Sequence, residues 1–402
     1  MSQEVVIVGG ARTPMCEYVG TPGFGKLKGV TAIDLAAHSS KAALERSKVA
    51  ADTVDHVVVG NALQTSQDAI YGARHVGLKA GVPQTAPALT VNRLCGSGIQ
   101  SVVNGAQMIQ LGEAKTVLAG GMENMSQAPF QMFGGREGYK FGTAPQLVDQ
   151  LFGALMDPLA GLMMAQTAEK IAKRLEISRE AQDEYAYRSH MLGAKAVEEG
   201  RFADEIEPVK IESRRGDVIV DTDDHIKPDT TVEGLAKLRA SFGKDGTVTA
   251  GNASGIVDGA ASVVLTTAER AAADSLDVWA KIVSWAYVGV DPTEMGIGPV
   301  PAIRACLNRA GVELDSVDRI EINEAFSAQY LGCEKELELD RDKCNVNGGA
   351  ISLGHPLGAT GTRLVLTLMH ELRRSNKRLG VASACIGGGQ GIAILIENPQ
   401  AS

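Results

Sequence analysis

Short apolar runs alternate with amphipathic stretches through the first 120 residues of the chain. Residues 4–9 are a continuous apolar run typical of a buried strand, and residues 31–46 have apolar positions at helical spacing. A second strand is predicted at residues 54–60. This order of strand, helix and strand predicts an α/β protein that begins with a βαβ unit.

A glycine-framed corner with one cysteine follows the next strand. A short strand is predicted at residues 87–91, and a helix at residues 98–111. The corner that joins them is residues 91–100, V-N-R-L-C-G-S-G-I-Q. Cys95 therefore lies at a helix start, where free N–H groups and the helix dipole are expected to lower its pKa toward neutrality. Gly96 and Gly98 are expected to let a ligand's backbone or thioester approach the sulfur.

A long region from about residue 121 to residue 251 interrupts this alternation, and we interpret it as an insertion. Helices are predicted within it at residues 165–175 and 178–199. We interpret four methionines of this region as residues that fill gaps in the core or line an apolar tunnel. They are Met122, Met125, Met163 and Met164. It also holds a basic patch or, equally, a solvated loop surface, made of Arg214, Arg215, Lys227, Lys237, Arg239 and Lys244.

An internal repeat relates the two ends of the chain. The stretch L-E-R-S-K-V-A-A-D-T-V-D at residue 44 reappears as L-N-R-A-G-V-E-L-D-S-V-D at residue 307, an offset of 263 residues. The same offset places Cys95 on Gly358 and Asn92 on His355. The repeat predicts two similar α/β halves about a pseudo-twofold axis, with the cysteine and histidine corners facing one cleft. The predicted bounds are residues 1–120 and 252–270 for the first half, 121–251 for the insertion and 271–402 for the second half.

Three glycine-framed polar clusters end strand patterns in the second half. The first contains Asn323 in N-E-A-F, the second His355 in G-H-P-L-G-A-T-G, and the third Cys385 in C-I-G-G-G-Q-G. A helix is predicted at residues 363–372, after the histidine cluster. Because sites gather at the carboxyl ends of strands in open α/β sheets, these clusters are expected to meet in one site.

Composition narrows the class of protein. A chain of 402 residues, 44% of them hydrophobic, is long enough for more than one domain, and a net charge of −9 argues against nucleic acid as a partner. Six cysteines without a C-x-x-C pair argue against a metal site. The first residues lack a leader pattern and no apolar run is long enough for a membrane span, so we expect a cytoplasmic protein.

Six motifs together resemble those of the thiolases, the acetyl-CoA C-acyltransferases. They are N-R-L-C-G-S-G, G-G-M-E-N-M-S-Q-A-P, A-G-N-A-S-G, N-E-A-F, G-H-P-L-G-A-T-G and C-I-G-G-G-Q-G, in the family's order and spacing. The resemblance implies two halves, each with a five-stranded mixed sheet, stacked as helix, sheet, helix, sheet and helix layers. It also implies that the insertion forms a loop domain that holds coenzyme A (CoA), and that the chain assembles as a homodimer or homotetramer.

The resemblance also implies a chemistry, the CoA-dependent cleavage of 3-oxoacyl-CoA, in which CoA is a substrate and no cofactor is needed. Cys95 would be the nucleophile, His355 its base, and Cys385 the acid that protonates the leaving acetyl-CoA enolate. One oxyanion hole would use His355 and a water held by Asn323, and the other the N–H groups of Cys95 and Gly387.

The contacts to CoA that the resemblance implies are Ser254, Ala250, Lys227, Met163 and Met295. Acetoacetyl-CoA-specific thiolases typically have His-Met-Gly where this chain has Met163-Met-Ala. At these positions the chain resembles the broad-range 3-ketoacyl-CoA thiolases of β-oxidation. We therefore expect it to accept 3-oxoacyl-CoAs of several chain lengths, and strict acetoacetyl-CoA specificity is the alternative.

Two other functions compete with this interpretation. A condensing ketoacyl synthase would carry a second catalytic histidine where this chain has Cys385. A silent acyl-CoA-binding paralogue would have lost the nucleophile, His355 or Asn323, and this chain retains them. A partner subunit of a β-oxidation complex is a further assembly that the resemblance allows.

Overall fold

The computed structural model describes residues 3–214, 216–243 and 245–401. The first half begins with β1 (Val5–Arg12), β2 (Cys16–Glu17), α1 (Ala32–Ser47), β3 (His56–Asn61), α2 (Gly72–Ala80), β4 (Ala88–Val91), α3 (Ser97–Gln110) and β5 (Thr116–Glu123). The region that follows contains β6 (Phe130–Met132), β7 (Leu147–Asp149), α4 (Gln150–Ala154), β8 (Met156–Asp157), β9 (Leu162–Met163), α5 (Met164–Arg174), α6 (Arg179–Glu198), β10 (Val209–Ile211), β11 (Val218–Val220) and α7 (Val232–Ala236).

The chain then returns to the first half and enters the second. The first half closes with β12 (Val257–Thr267) and α8 (Ala268–Ala273). The second half contains β13 (Ala280–Gly289), α9 (Pro299–Ala310), β14 (Arg319–Ile322), α10 (Ser327–Leu337), α11 (Ala350–Leu353), α12 (Leu357–Arg374), β15 (Leu379–Ile386) and β16 (Gln390–Glu397). The domain bounds given above stay a prediction.

Four of the five predicted helices are confirmed to within one residue at each end, and side-chain caps fix the starts of two of them. The Thr31 side chain accepts a hydrogen bond from Asp34 N at the start of α1, and Ser178 accepts from Ala181 N at the start of α6. Helix α12 is the exception, because it begins at Leu357, six residues before the predicted start. Its first turn is rich in glycine and therefore lacks the apolar spacing that predicts a helix.

Each half forms one sheet, and the two sheets are joined along one edge strand of each. In the first half the five main strands have the order β4-β3-β5-β12-β1, with β3 parallel to both β4 and β5, and the other pairs antiparallel. The two-residue β2 also pairs with the start of β12. In the second half the order is β13-β16-β15-β14, with β14 parallel to β15. A short antiparallel pairing of β1 with β13 joins the sheets into one.

The expected fifth strand is absent from the second half within the part of the chain that the structure describes. At the position equivalent to β4 there is only an isolated parallel bridge between Ile320 and Cys344. The Asn345 side chain replaces further strand pairing, because its amide accepts from Ile322 N and donates to Ile322 O, both at 2.9 Å. The prediction of five strands in each half is therefore confirmed for the first half and wrong for the second.

The predicted five layers are confirmed. Helices α1 and α2 cover the outer face of the first sheet, and α9 and α10 cover the outer face of the second. Helices α3 and α12 lie between the sheets and form the central layer with their apolar faces. The molecule therefore buries both faces of both sheets, as parallel strands require.

The repeat extends to individual hydrogen bonds. Asp55 accepts from the backbone N–H groups of residues 115–116, at 2.8 and 2.9 Å, just before β5 and at its start. Asp318, 263 residues later, accepts from the N–H groups of residues 378–379 at 3.0 and 2.9 Å, at the start of β15. The same side chain therefore sets the same strand in each half, which confirms the predicted internal symmetry.

The central helices cross at two glycines that the repeat makes equivalent. A Cβ on Gly98 would lie 2.3 Å from Thr362 N, and a Cβ on Gly361 would lie 2.3 Å from Ile99 N. Gly96 likewise has no space for a side chain, since a Cβ there would lie 2.5 Å from Ile386 Cδ1. These glycines make room for the other half of the chain, so the expectation that they admit a ligand is wrong.

Replacing Gly98 by alanine should lower the free energy of unfolding by about 1–3 kcal/mol, because the added methyl group meets backbone rather than a mobile side chain. The measurement is the urea midpoint of unfolding. Gly105→Ala is the matched control in the same helix, since its Cβ would meet only a Val117 methyl group at 3.0 Å. Equal midpoints for the two variants would show that the helices separate without cost.

Candidate active site

A strained turn holds Cys95. Leu94 has a positive φ of 45°, which is costly for a residue with a branched side chain. Two neighbouring side chains hold this conformation, because Asn92 Oδ1 accepts from Leu94 N at 2.9 Å and Ser97 Oγ donates to Leu94 O at 2.7 Å. The turn Leu94–Gly96 therefore places Cys95 just before the first residue of α3.

Cys95 lies in surroundings that keep it a neutral thiol. It packs in an apolar cluster with Met125 and Leu357. Burial raises the pKa of Cys95 to about 11, although the backbone N–H of Gly387 and its own N–H act in the opposite direction. The expectation that the helix start lowers this pKa is therefore wrong, because desolvation outweighs the N–H groups.

The second predicted cysteine lies beside the first. Cys385 is at the end of β15 and is fully buried. Burial raises its pKa well above the usual range, and the nearby Cys95 raises it further. Gly387 follows it, and a Cβ there would lie 3.2 Å from both Leu94 Cδ1 and Met164 Sδ. The corner after β15 therefore closes tightly over the Cys95 turn.

His355 reaches the site from the first turn before α12. Its backbone N–H donates to Gly255 O at 2.9 Å. Its ring Nε2 lies 3.2 Å from Asn323 Nδ2, and its Nδ1 lies 2.6 Å from Thr360 Oγ1. Burial lowers the pKa of His355 to about 3, and the positive Arg363 adds to this effect. The ring is therefore neutral over the physiological range of pH.

The side chain of Asn323 has one polar atom without a hydrogen-bond partner among the described residues. Its Nδ2 faces the histidine ring, and its Oδ1 is buried with no hydrogen-bond partner among the described residues. Buried polar atoms are rarely left without a partner except where a site uses them. The free oxygen is therefore an acceptor at the site itself.

Glu123 is a residue of the site that the sequence analysis passes over. Its carboxylate accepts from Asn61 Nδ2, from the N–H groups of residues 62–63 and from Gly358 N, at 2.9 to 3.1 Å. Burial raises its pKa to about 7, and these backbone donors oppose that rise. Glu123 thereby ties β5 of the first half to the helix start that follows His355. A carboxylate inside the quoted motif G-G-M-E-N-M is the signal that marks it.

A cavity of about 130 Å³ opens beside the histidine. Of the predicted binding residues, Met163 and Ser254 line it together with His355. Met125 and Met164 also line it, whereas Met122 is buried in the core of the first half. Three of the four methionines are therefore lining residues and one is a gap-filler.

The other predicted binding residues lie elsewhere. Met295 is buried in a small cluster with Cys385 and Ala325. Ala250 and Lys227 are exposed, and the Lys227 N–H donates to His190 Nδ1 at 3.3 Å. Of the basic patch, Arg214, Lys237 and Arg239 are exposed, whereas Arg215 and Lys244 lie outside the described residues.

Comparisons with known proteins agree with this geometry. The family model "Thiolase, N-terminal domain" matches residues 5–269, and "Thiolase, C-terminal domain" matches residues 276–398. The mitochondrial 3-ketoacyl-CoA thiolase of Homo sapiens is 49% identical over 394 residues, which are 98% of each chain. An acetyl-CoA acetyltransferase of Pseudomonas aeruginosa is 45% identical over 395 residues, covering 98% of this chain and 99% of the relative.

Solved structures give the same result. Human mitochondrial 3-ketoacyl-CoA thiolase has a TM-score of 0.96 at 49% identity, over 98% of this chain and 99% of that one. The crystal structure of the same human enzyme in complex with CoA has a TM-score of 0.95, over 98% of each chain. Family models, sequence and fold agree over nearly the whole length, and this chain therefore belongs to the thiolase family of acyltransferases.

Proposed function

We propose that the enzyme cleaves 3-oxoacyl-CoA with CoA, through an acyl group carried on Cys95, and that it releases acetyl-CoA and a shortened acyl-CoA. One observation carries this proposal. The backbone N–H of Gly387, two residues after Cys385, opposes the rise in the pKa of Cys95, and Cys95 raises the pKa of Cys385, so two cysteines from different halves share one site. A nucleophile and a separate thiol acid are what the cleavage of a carbon–carbon bond next to a thioester requires.

In the first step Cys95 attacks the 3-keto carbon and its proton passes to His355. Both groups are neutral at rest, because burial raises the pKa of Cys95 to about 11 and lowers that of His355 to about 3. Proton transfer therefore accompanies the attack and does not precede it. The resulting imidazolium then donates Nε2–H to the substrate oxygen, with Asn323 beside it.

In the second step the carbon–carbon bond breaks and the leaving carbon takes the proton of Cys385. Burial keeps Cys385 a thiol until that moment, which suits an acid. An incoming CoA thiol then gives its proton to the Cys385 thiolate and attacks the acyl-Cys95. The departing Cys95 sulfur recovers its proton from His355, so every group returns to its first state.

The N–H groups of Cys95 and Gly387 stabilise the oxyanion formed on acyl-Cys95. Both N–H groups oppose the rise in the pKa of Cys95, which supports this role because the acyl oxygen forms next to that sulfur. Loss of one such donor typically costs about 10²–10³ in rate. Gly387 also lacks a side chain that would contact Leu94 and Met164.

CoA is proposed to enter along the cavity, with Ser254 and Met163 on the pantetheine arm. Met295, Ala250 and Lys227 stay predicted contacts, with Lys227 serving the nucleotide. Support comes from the cavity that Ser254 shares with His355, and from the human relative, whose crystal structure contains CoA. We assign the region of residues 121–251 as the loop domain that holds it.

A broad range of acyl chains is the preferred substrate class. Met163 replaces a histidine typical of acetoacetyl-CoA-specific enzymes, and the lining of the cavity is rich in methionine, a side chain that adapts its shape. The 49% identical human relative is named a 3-ketoacyl-CoA thiolase. The 45% identical bacterial relative is named an acetyl-CoA acetyltransferase, which keeps the narrower range as the alternative.

We propose that the chain assembles as a homodimer or as a homotetramer built from dimers. β4 ends the first sheet with Leu89 exposed, and Ile70 near it is 74% exposed. A second apolar surface lies at residues 130–159, where Phe141 and Leu159 are almost fully exposed. Exposed patches of this kind mark interfaces, and an unpaired edge strand accepts another strand.

CoA is a substrate in this scheme and no cofactor takes part. Among the described residues, no group of three His, Cys, Asp or Glu side chains could hold a metal ion. Residues 3–214, 216–243 and 245–401 contain no helix with the length and apolarity to cross a membrane. All six cysteines are free, which supports a reducing compartment; the cytoplasm stays the prediction, and the human relative is named mitochondrial.

Removing either cysteine should stop the cycle at a different step. Cys95→Ala should abolish thiolysis because no acyl-enzyme forms. Cys385→Ala should still take an acetyl group from acetyl-CoA onto Cys95, yet lose thiolysis by about 10²–10⁴ because the carbanion finds no proton. Mass spectrometry measures the acetylation of Cys95. The loss of 3-oxoacyl-CoA enolate absorbance measures the rate of thiolysis. Failure of Cys385→Ala to become acetylated would contradict this division of roles.

Iodoacetamide should report the neutral state of Cys95. Without substrate, the rate of alkylation at Cys95 should rise about tenfold per pH unit from about pH 6 to 9, because the reactive thiolate is a minor species far below the pKa. Cys95→Ala measures the background from the other five thiols. A rate that levels off below about pH 8 would instead indicate a thiolate stabilised by the helix start.

The range of substrates follows from rates with 3-oxoacyl-CoAs of four to about sixteen carbons. We expect kcat/KM to hold or rise with chain length, since each buried CH₂ contributes about 0.8 kcal/mol in an open apolar channel. Met163→His is the informative variant and should shift the preference toward acetoacetyl-CoA. Activity confined to acetoacetyl-CoA in the unaltered enzyme would establish the narrower alternative.

A further inference from the structure

The far side of the histidine ring has its own partner. Thr360 is fully buried in the first turn of α12, and its Oγ1 lies 2.6 Å from His355 Nδ1. The same Oγ1 lies 3.0 Å from the backbone oxygen of Pro356, four residues earlier. Threonine in a helix commonly donates to the carbonyl at this spacing. The hydroxyl can therefore donate to Pro356 O and still accept from the ring.

The two contacts of the ring together indicate which nitrogen carries the proton. The amide nitrogen of Asn323 is a donor and lies 3.2 Å from Nε2, so Nε2 accepts and the single hydrogen of the neutral ring is on Nδ1. Thr360 Oγ1 then accepts from Nδ1, and Nε2 is the unprotonated nitrogen that can take up a proton. His355 is 6% exposed, so its surroundings and not bulk water decide the tautomer.

We propose that Thr360 is a positioning residue that holds the His355 ring with Nε2 free to accept the proton of Cys95. This inference rests on the proposed function, because it concerns the base of that reaction. The opposite tautomer would present an N–H to Cys95 and could not take its proton. When Nε2 is protonated, Nδ1–H stays on Thr360, so the ring changes charge without turning.

Thr360 also differs in kind from the carboxylate that often orients a catalytic histidine. A hydroxyl has no negative charge to stabilise the imidazolium, and the charged group that acts on the ring is the positive Arg363. The neutral ring is consequently the stable form at rest. Thr360 therefore selects the tautomer without making the ring a stronger base.

The test compares two substitutions of Thr360 with a control on the same helix. Thr360→Val removes the hydroxyl and should lower kcat for thiolysis and the rate of Cys95 acetylation on the order of 10² at an unchanged KM. Thr360→Ser keeps the hydroxyl and should stay within about threefold of the unaltered enzyme. Thr367→Val removes another buried hydroxyl, one that donates to Glu205 at 2.9 Å, and should lower stability without this loss of rate.

Nitrogen-15 NMR of histidine-labelled enzyme reads the tautomer directly, with His355→Asn identifying the signal. We expect protonated Nδ1 and unprotonated Nε2 in the unaltered enzyme, and a shift toward the other tautomer in Thr360→Val. Protonated Nε2 in the unaltered enzyme would overturn the proposal even if no variant folds. Thr360→Ser as slow as Thr360→Val would also overturn it. An unaltered enzyme that does not cleave 3-oxoacyl-CoA would instead reject the proposed function, whereas the NMR signal still tests Thr360.

Discussion

The contact between Gly98 and Gly361 is the constraint on which the site depends. At this crossing α3 and α12 approach so closely that neither glycine has space for a Cβ. The start of α3, with Cys95, is thereby brought against the end of β15, and the start of α12 against the end of β5. Each half thus delivers its corner to the other half's sheet, and a site made of both halves follows from one backbone contact.

The repeated halves keep equivalent structural contacts and differ at the corners that form the site. The aspartates at 55 and 318 keep the same role, since each binds the N–H groups at the start of an equivalent strand. Where the first half has β4 leading to Cys95, the second has the Asn345 side chain and the short α11 leading to His355. One corner thereby presents a sulfur and the other an imidazole, although both begin a helix of the central layer.

Features set by neighbours in the sequence could be predicted, and features set by distant segments could not. Thr31 and Ser178 cap their own helices, so those helix starts are visible in the sequence, and the repeat itself predicts two similar halves. The pKa of Cys95 depends on burial among residues from several segments, Leu357 included, and periodicity carries no record of them. The motif G-G-M-E-N-M contains Glu123, but its role of joining the two halves cannot be predicted from neighbouring residues, because one of its donors lies 235 residues away.

The two cysteines differ in their surroundings, and this difference supports the roles proposed for them. Both lie in places that disfavour the thiolate, but Cys95 is only partly buried, and the Gly387 N–H opposes the rise in its pKa. Cys385 is fully buried, and an ionised Cys95 beside it makes a second thiolate still less favourable. In the proposed mechanism Cys385 therefore stays protonated until the carbon–carbon bond breaks, which is the state that an acid needs. The deeper burial of Cys385, more than the charge of a neighbouring sulfur, favours its assignment as the acid.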